Sequence, residues 1–468
     1  PMTSALWTAT EFRAATGGTL SHDVVVTGVS IDSRTVAQGD LFVALRDARD
    51  GHDFVADALA RGAAVAMVDR DPPGVAADAP LLRVPETLAG LAALGAAGRA
   101  RSAARVAAVT GSVGKTGTKD MLRLALGALG RTHVAVASYN NHWGVPLTLA
   151  RIPRGADFAV IEIGMNNPGE IAPLARLARP HVVCVTGVGE AHIGRMGGLA
   201  AIAEEKGSIA TGLAPGGVAV LNRDTPFFAR LAAIAHAHGA SRVIGFGRDA
   251  AAEARLLDAA TGPDGTRARL DLLGTRVDVS LPQAIGLHHA ANACAALAVV
   301  AALGGNGARA TAALADYAPG AGRGAARPVA LPGGRGTATL IDESYNAAVP
   351  AMRAALAALA LRPARGRRIA VLGDMRELGE FSAALHESLA PDAAATADLV
   401  FCCGPEMARL FALLPAAKRG VQVPDSAALA AILPGALRDG DVVLVKGALG
   451  SRMAVIVRAL LAPGNGAP

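Results

Sequence analysis

Val106-Ala-Ala-Val-Thr-Gly-Ser-Val-Gly-Lys-Thr-Gly-Thr-Lys-Asp120 decides how the rest of the chain is read. The apolar run from Val106 to Val109 predicts a buried strand. Gly111-Ser-Val-Gly-Lys-Thr116 predicts a glycine-rich turn, and Met121-Leu-Arg-Leu-Ala-Leu126 the start of a helix. In that order the three pieces suit phosphate: backbone N–H groups of the turn wrap its oxygens and the helix dipole adds to the attraction. Thr110, Gly111, Ser112, Val113, Gly114, Lys115, Thr116 and Gly117 are therefore candidate nucleotide-binding residues. Lys115 is placed to reach the β and γ phosphates, and the Thr116 hydroxyl to hold Mg2+. Gly111 and Gly114 stand closer together than in the general P-loop pattern, so the turn is a shortened version of it.

Upstream, residues 1–98 alternate short strands and helices. Asp23-Val-Val-Val26, Leu41-Phe-Val-Ala-Leu45 and Ala64-Val-Ala-Met-Val68 read as strands, and Phe54 to Arg61 as a helix stopped by Gly62. Between the first two strands lie Asp32, Ser33 and Arg34. They form either a contact for a phosphate or nucleotide-sugar, or a polar turn closed by its own ion pair; the residues alone leave both open.

Downstream, residues 99–322 alternate strand and helix more clearly. Phe158-Ala-Val-Ile-Glu-Ile-Gly164 is an apolar strand interrupted by Glu162. A carboxylate there is costly unless paired or bound to a cation. It stands where a P-loop fold needs an acidic Mg2+ ligand. His181-Val-Val-Cys-Val-Thr186 and Gly217-Val-Ala-Val-Leu-Asn222 are further strands. Open parallel sheets bind ligands at the carboxyl ends of their strands. Thr110, Glu162, His192, Asn222 and Asp224 all fall at or just past such ends. A helix opens at Gly286 and runs to about Leu303, with His289 and Asn292 on one face; for His289 a packed core histidine is the competing reading.

Tyr317-Ala-Pro-Gly-Ala-Gly-Arg-Gly324 reads as a linker, with a boundary near 322. Residues 323–468 alternate again. Ala338–Ile341, Arg368–Leu372, Asp398–Cys402 and Asp441–Val445 are strands, and Ala351–Leu361 is a helix. Their tips, Asp342-Glu-Ser-Tyr-Asn346, Gly373-Asp-Met-Arg-Glu-Leu-Gly-Glu380 and Lys446-Gly447, are polar and face a ligand or another domain. The expected fold is α/β in three domains: 1–98, 99–322 and 323–468. A central, mostly parallel P-loop sheet is flanked by a small N-terminal α/β domain and a C-terminal Rossmann-like one.

Composition sets the bounds. The 468 residues are 52% hydrophobic and 18% charged, which suits a folded chain with a sizeable core. The net charge of +6 is spread out, Arg365-Gly-Arg-Arg368 being the densest cluster, so no nucleic-acid arm is expected. Cys184, Cys294, Cys402 and Cys403 lack metal-ligand spacing and read as reduced core thiols of a cytoplasmic protein. No basic stretch precedes an apolar run near the N-terminus, so no signal peptide is read, and Pro1 ahead of Met2 reads as an added residue. Ala290 to Leu303 is too short to span a membrane.

Taken together, the motifs resemble those of the Mur ligases, ATP-dependent amide-bond formers of peptidoglycan precursor synthesis. The resemblance rests on Thr110-Gly-Ser-Val-Gly-Lys-Thr116, Ser138-Tyr-Asn-Asn-His-Trp-Gly-Val-Pro-Leu-Thr-Leu149 and Ile161-Glu-Ile-Gly-Met-Asn-Asn-Pro-Gly-Glu-Ile171. Asp342-Glu-Ser-Tyr-Asn-Ala347 and Val371-Leu-Gly-Asp-Met-Arg-Glu-Leu-Gly-Glu380 complete it. Within the family these segments are similar to members that add D-alanyl-D-alanine to UDP-N-acetylmuramoyl-tripeptide.

The resemblance implies a reaction through an acyl phosphate, with ATP and Mg2+ required and a monomer expected. It implies that Thr116 and Glu162 hold one Mg2+. His192 matches a second-metal histidine, and Lys206 a lysine that is carbamylated in many members. Asn222, Asp224 and Asn292 look like neighbours of adenine or ribose. Arg323 resembles a linker arginine that approaches ATP phosphates. Asp342, Tyr345 and Asn346 resemble a C-terminal motif on the nucleotide side, and Asp32, Ser33 and Arg34 lean toward the UDP part of the substrate.

The chain departs from the pattern at Gly117, where Thr or Ser is usual, and at Gly194, which replaces an acidic residue. Glu343 replaces a second Asp, and Ala348-Val349 an Asn-Pro-Asp type continuation. Another amide-forming relative, such as a folylpolyglutamate synthase or a different Mur ligase, is the nearest rival. A P-loop switch without acyl transfer is the rival from another class, and it leaves Lys206 and the C-terminal domain without a role.

Overall fold

The computed structural model describes residues 5–462. Pro1 and Met2 lie outside that range. Three larger sheets organise the chain, beside a two-stranded antiparallel pair of Trp7–Thr8 and Val25–Val26, to which the strand expected at Asp23–Val26 is reduced. The N-terminal sheet runs in the order Thr19–Leu20, Leu81–Arg83, Val65–Val68, Asp40–Val43, Gly28–Ser30. Central and largest is a nine-stranded sheet, and a six-stranded sheet follows it.

In the central sheet, Arg105–Thr110 lies between Val182–Val185 and Phe158–Glu162, all parallel. Ala107, Ala108 and Val109 are fully buried, as a strand covered on both faces requires. Chain order reverses beside this strand, which opens a crevice at its carboxyl end. Register places Glu162 opposite Val109 and Val185 opposite Thr110, so the candidate polar groups emerge at one edge. The helix after the glycine turn starts at Lys115, earlier than the apolar run at Met121 indicates, and ends at Gly127. Lys115 and Thr116 thus occupy its first turn, where backbone N–H groups have no partner within the helix. Met121, Leu122 and Ala125 bury its inner face against the helix Leu287–Ala302. Each large apolar side chain so buried contributes about 1.5–3 kcal/mol.

Strand–helix alternation fails between 254 and 281. Ala254–Gly262, Gly265–Leu272 and Thr275–Leu281 form an antiparallel meander at the sheet edge. The two-residue loops Pro263-Asp264 and Leu273-Gly274 reverse the chain too tightly for a helix, with Gly265, which opens the strand after the first loop, and Gly274 at φ 96° and 89°.

The C-terminal sheet runs Ala325–Ala330, Thr337–Glu343, Val442–Lys446, Arg368–Gly373, Leu399–Cys403, Arg419–Val423. Its first and last strands were not legible as strands: Pro328 sits in the first, which only an edge tolerates, and the last is short and partly exposed. Ile193 and Met196 of the central unit share a buried cluster with Met375 and Leu378 of the C-terminal unit. The four cysteines are free and buried. Among the described residues, no helix is long and apolar enough to cross a membrane.

Candidate active site

Gly111 has φ 152°, and a Cβ there would stand 1.9 Å from Thr186 Oγ1. The loop closes against the Thr186–Gly189 segment for that reason. Thr186 Oγ1 donates to the Val113 carbonyl at 2.5 Å, and Ser112 Oγ donates to the Gly189 carbonyl at 3.0 Å. Thr110 lies behind the loop; its carbonyl accepts from Thr186 N, while its hydroxyl is buried without a partner.

Beyond the loop, a cavity of about 410 Å3 is lined by Ser112, Val113, Gly114, Lys115, Thr116, Glu162, His192 and Lys206 from the central unit. Arg323, Tyr345 and Asn346 close it from the C-terminal side. Lys115 Nζ donates to the Gly111 carbonyl at 2.6 Å. Burial depresses its pKa, opposed by Glu162 and aided by Arg323. Glu162 is 1% exposed and accepts the Thr116 hydroxyl at 3.1 Å to either oxygen. Asn140 Nδ2 donates to it at 2.8 Å, and Lys119 Nζ stands 3.8 Å away. Asn140 and Lys119 had no assigned role, although both lie in stretches quoted above.

Lys206 is 1% exposed and, among the described residues, has no side-chain hydrogen bond or ion pair. Burial holds its pKa well below the usual lysine range, and Lys115 pushes the same way. Its neighbour Glu205 accepts from Gly169 N and Ile171 N, both at 2.8 Å, and so pins the helix Ile171–Ala178. His192 Nδ1 is hydrogen-bonded to Glu377 Oε2 of the C-terminal unit. Burial lowers the His192 pKa and Glu377 raises it.

A second cavity, about 240 Å3, adjoins the first through Val113, Gly114, Thr116, Arg323 and Asn346, and is lined by Gly117, Asn222, His289, Asn292 and Tyr317. Asn292 rests on the loop: a Cβ at Gly117 would lie 2.7 Å from its Nδ2, and one at Gly114 2.6 Å from its Oδ1. The missing hydroxyl at position 117 makes room for that amide. His289 is 4% exposed and packs on His288 and Tyr317, so the core-histidine reading and the cavity reading both describe it. Arg323 stacks over Tyr345 at 4.5 Å and donates to Ser138 Oγ at 3.0 Å.

Two expected contacts are occupied otherwise. Asp224 does not line this cavity; it accepts from Arg248 N and Asp249 N. Asp342 accepts from Gly322 N at 3.0 Å and Ser344 Oγ at 2.6 Å, tying the linker to its strand. Glu343 pairs with Lys446 at 3.0 Å. Asp32, Ser33 and Arg34 line a third cavity of about 610 Å3, in which Asp32 and Arg34 also pair with each other at 2.6 Å. Tyr139, His142 and Trp143 line it too, so the segment 138–143 runs from this cavity to the phosphate loop.

The donor chemistry near Thr116 and Glu162 suits Mg2+, which prefers oxygen and keeps much of its shell as water and phosphate. Among the described residues, no group of three or more His, Cys, Asp or Glu could hold a metal ion.

The fold and this site define a three-domain, P-loop α/β enzyme whose phosphate loop is covered by a C-terminal sheet. Family models match in chain order: Mur ligase family, catalytic domain, at residues 25–99; Mur ligase middle domain at 109–300; and Mur ligase, glutamate ligase domain, at 329–449. UDP-N-acetylmuramoyl-tripeptide--D-alanyl-D-alanine ligase of Escherichia coli is 36% identical over 94% of this chain and 94% of its own length. A crystal structure of MurF from Acinetobacter baumannii superposes with a TM-score of 0.82 at 29% identity, covering 97% of this chain and 98% of that one. MurF from Thermotoga maritima, in complex with ADP, gives 0.75 at 27% identity over 92% of this chain and 96% of that one. The chain belongs to the Mur ligase family.

Proposed function

We propose that the chain is the ATP-dependent ligase joining D-alanyl-D-alanine to UDP-N-acetylmuramoyl-tripeptide, giving the UDP-muramoyl-pentapeptide, ADP and phosphate. One observation carries this reading beyond family membership. The loop bearing Lys115 and Thr116, the Glu162 carboxylate and the unpartnered Lys206 meet in one cavity, and the segment 138–143 leads from it to the Asp32–Arg34 cavity. Phosphoryl donor and carboxylate acceptor thus have separate entrances to one chamber.

A carboxylate is a poor acyl donor because oxide is its leaving group. Its oxygen attacks the γ-phosphorus of ATP, the bond to the β-phosphate oxygen breaks, and ADP departs. The neutral amine of D-alanyl-D-alanine then attacks the carbonyl carbon, loses a proton, and the C–O bond to phosphate breaks. Positioning and charge neutralisation are the enzyme's main contributions. Lys115 holds the γ-phosphoryl oxygens, with Gly111 to Thr116 around the phosphate chain. Arg323 lies between the two nucleotide cavities, Asn222 and Asn292 border adenine and ribose, and Tyr345 and Asn346 close the C-terminal wall. Thr110 and Asp342 brace the loop and the linker. Asp32, Ser33 and Arg34 take the UDP part.

Mg2+ held by Thr116 and Glu162, and a second ion held by His192 and carbamylated Lys206, would neutralise phosphate charge. Burial favours the neutral Lys206 amine, the form that adds to CO2 with loss of a proton; the carbamate oxygen then suits a hard cation as an ammonium does not. We assign the domains to 1–98, 99–322 and 323–468, and the active unit to a cytoplasmic monomer.

Labelling the tripeptide's terminal carboxylate with 18O tests the route. One labelled oxygen in the released phosphate is expected; label retained wholly in the peptide would rule out the acyl phosphate.

A further inference from the structure

Two guanidinium groups on the C-terminal side of the phosphate cavity have no anionic partner among the described residues: Arg323, which is stacked on Tyr345 and bonded to Ser138, and Arg376. Arg376 lines that cavity and, among the described residues, has no hydrogen bond or ion pair. Its backbone is pinned on both sides. The Asp374 carbonyl accepts from Ala448 N at 3.2 Å and Ser451 Oγ at 2.7 Å. Met375 N donates to the buried His386 Nε2 at 3.0 Å, and the Glu377 carbonyl accepts from Gly194 N at 2.9 Å. The neighbouring charges are already engaged: Glu377 pairs with His192 and Arg195, and Lys446 pairs with Glu343. A long cationic side chain is therefore presented to the cavity from a fixed base, with no internal anion to hold it.

Resting on the ligase reading above, we propose that Arg376 receives the C-terminal carboxylate of D-alanyl-D-alanine. The acyl donor enters along the segment 138–143, and the phosphate loop forms the floor. The acceptor is left with the side formed by Arg376 and Leu449. A dipeptide spans at most about 7 Å, so a carboxylate held at this wall leaves the amine inside the chamber. Leu449, 63% exposed, lines the cavity together with Ala448 and gives the two methyl groups an apolar surface. A guanidinium is the side chain best matched to a carboxylate, which it can bind through two parallel hydrogen bonds.

The test compares the unsubstituted chain with Arg376→Ala and Arg376→Lys, using D-alanyl-D-alanine and D-alanyl-D-alaninamide as acceptors. A charge-assisted hydrogen bond corresponds to about a 10- to 100-fold effect. Arg376→Ala is expected to lower kcat/KM for the dipeptide by that factor, leaving KM for ATP and for the tripeptide within about 2-fold. The unsubstituted enzyme should lose a similar factor on the amide, whereas Arg376→Ala should use dipeptide and amide about equally. Arg376→Lys should recover part of the loss and of the discrimination. An undiminished preference of Arg376→Ala for the acid over the amide overturns the proposal. So does a rise in KM for ATP alone, which places Arg376 on a phosphate instead. Failure of the underlying ligase reading looks different: the unsubstituted enzyme then forms no amide product with either acceptor.

Discussion

His192 and Glu377 are hydrogen-bonded, Nδ1 to Oε2, across the seam between the central and C-terminal units. Both sit at positive φ, 65° and 63°, a conformation that β-carbon-bearing residues adopt only when their surroundings hold them there. Arg195 adds a contact to Glu377 at 2.8 Å. The bond leaves Nε2 as the free ring nitrogen, an arrangement common where a histidine ligates metal through its other nitrogen.

Replacing Glu377 by Gln is expected to weaken the seam and, on the proposed reading of His192, the binding of Mg2+. Loss of such an outer carboxylate typically costs about 10- to 100-fold in metal affinity or activity. A Mg2+ titration of turnover should shift to higher concentration by that factor in Glu377→Gln. An unshifted midpoint would leave the His192–Glu377 bond as a packing contact.

Gly194 meets the same seam. A Cβ there would lie 2.3 Å from Gly379 N and 2.6 Å from Leu378 C, backbone atoms that cannot swing aside. The substitution Gly194→Asp, which adds a carboxylate side chain at that contact, is therefore expected to part the two units. Small-angle scattering should report a larger radius of gyration, and turnover should fall at least about 10-fold by the same loss of positioning. An unchanged radius and rate would mean that the seam relaxes around the added side chain.

Lys115 offers a sharper loss. Removing one charged group that stabilises the transferring phosphoryl costs about 10²–10³ in kcat at sites of this kind. Lys115→Ala should lose at least that much while its thermal unfolding stays close to that of the parent chain, since among the described residues the lysine side chain bonds only to its own loop. Near-normal turnover would remove Lys115 from phosphate contact.

Lys206 couples function to stability with a definite sign. Burial holds its folded-state pKa well below 10.5. Between the depressed value and the ordinary one, the unfolded chain binds a proton that the folded chain does not, so stability rises with pH across that window. In CO2-free buffer, Lys206→Met should remove this slope and raise the melting temperature at neutral pH, yet abolish turnover. In Lys206→Ala, a small carboxylic acid should restore part of the activity by standing in for the proposed carbamate. Full activity without it, or an unchanged pH slope in Lys206→Met, would contradict the assignment.

The phosphate loop was legible because its chemistry is local: a strand, a tight glycine turn and a helix start lie within fifteen residues, Val106 to Asp120. Glu162 was legible because a carboxylate in an apolar strand violates the pattern around it. Asn140 carries no such signal, since its amide meets Glu162 only after the chain folds back. Asp224 and Asp342 fell at plausible strand ends, but their oxygens are occupied by backbone and hydroxyl donors that only the folded turns supply. The meander from Ala254 to Leu281 had its glycine turns in plain view, and the strand–helix rhythm on either side obscured them. Glu377 and Arg376 lie in the quoted segment Val371–Glu380, yet their partners and exposure depend on how two sheets dock.

The most direct measurement of ligation is release of phosphate from ATP with the substrates added one at a time. Rapid release is expected only with UDP-N-acetylmuramoyl-tripeptide and D-alanyl-D-alanine together, in step with formation of the pentapeptide. Equal release when the dipeptide is omitted would contradict the account.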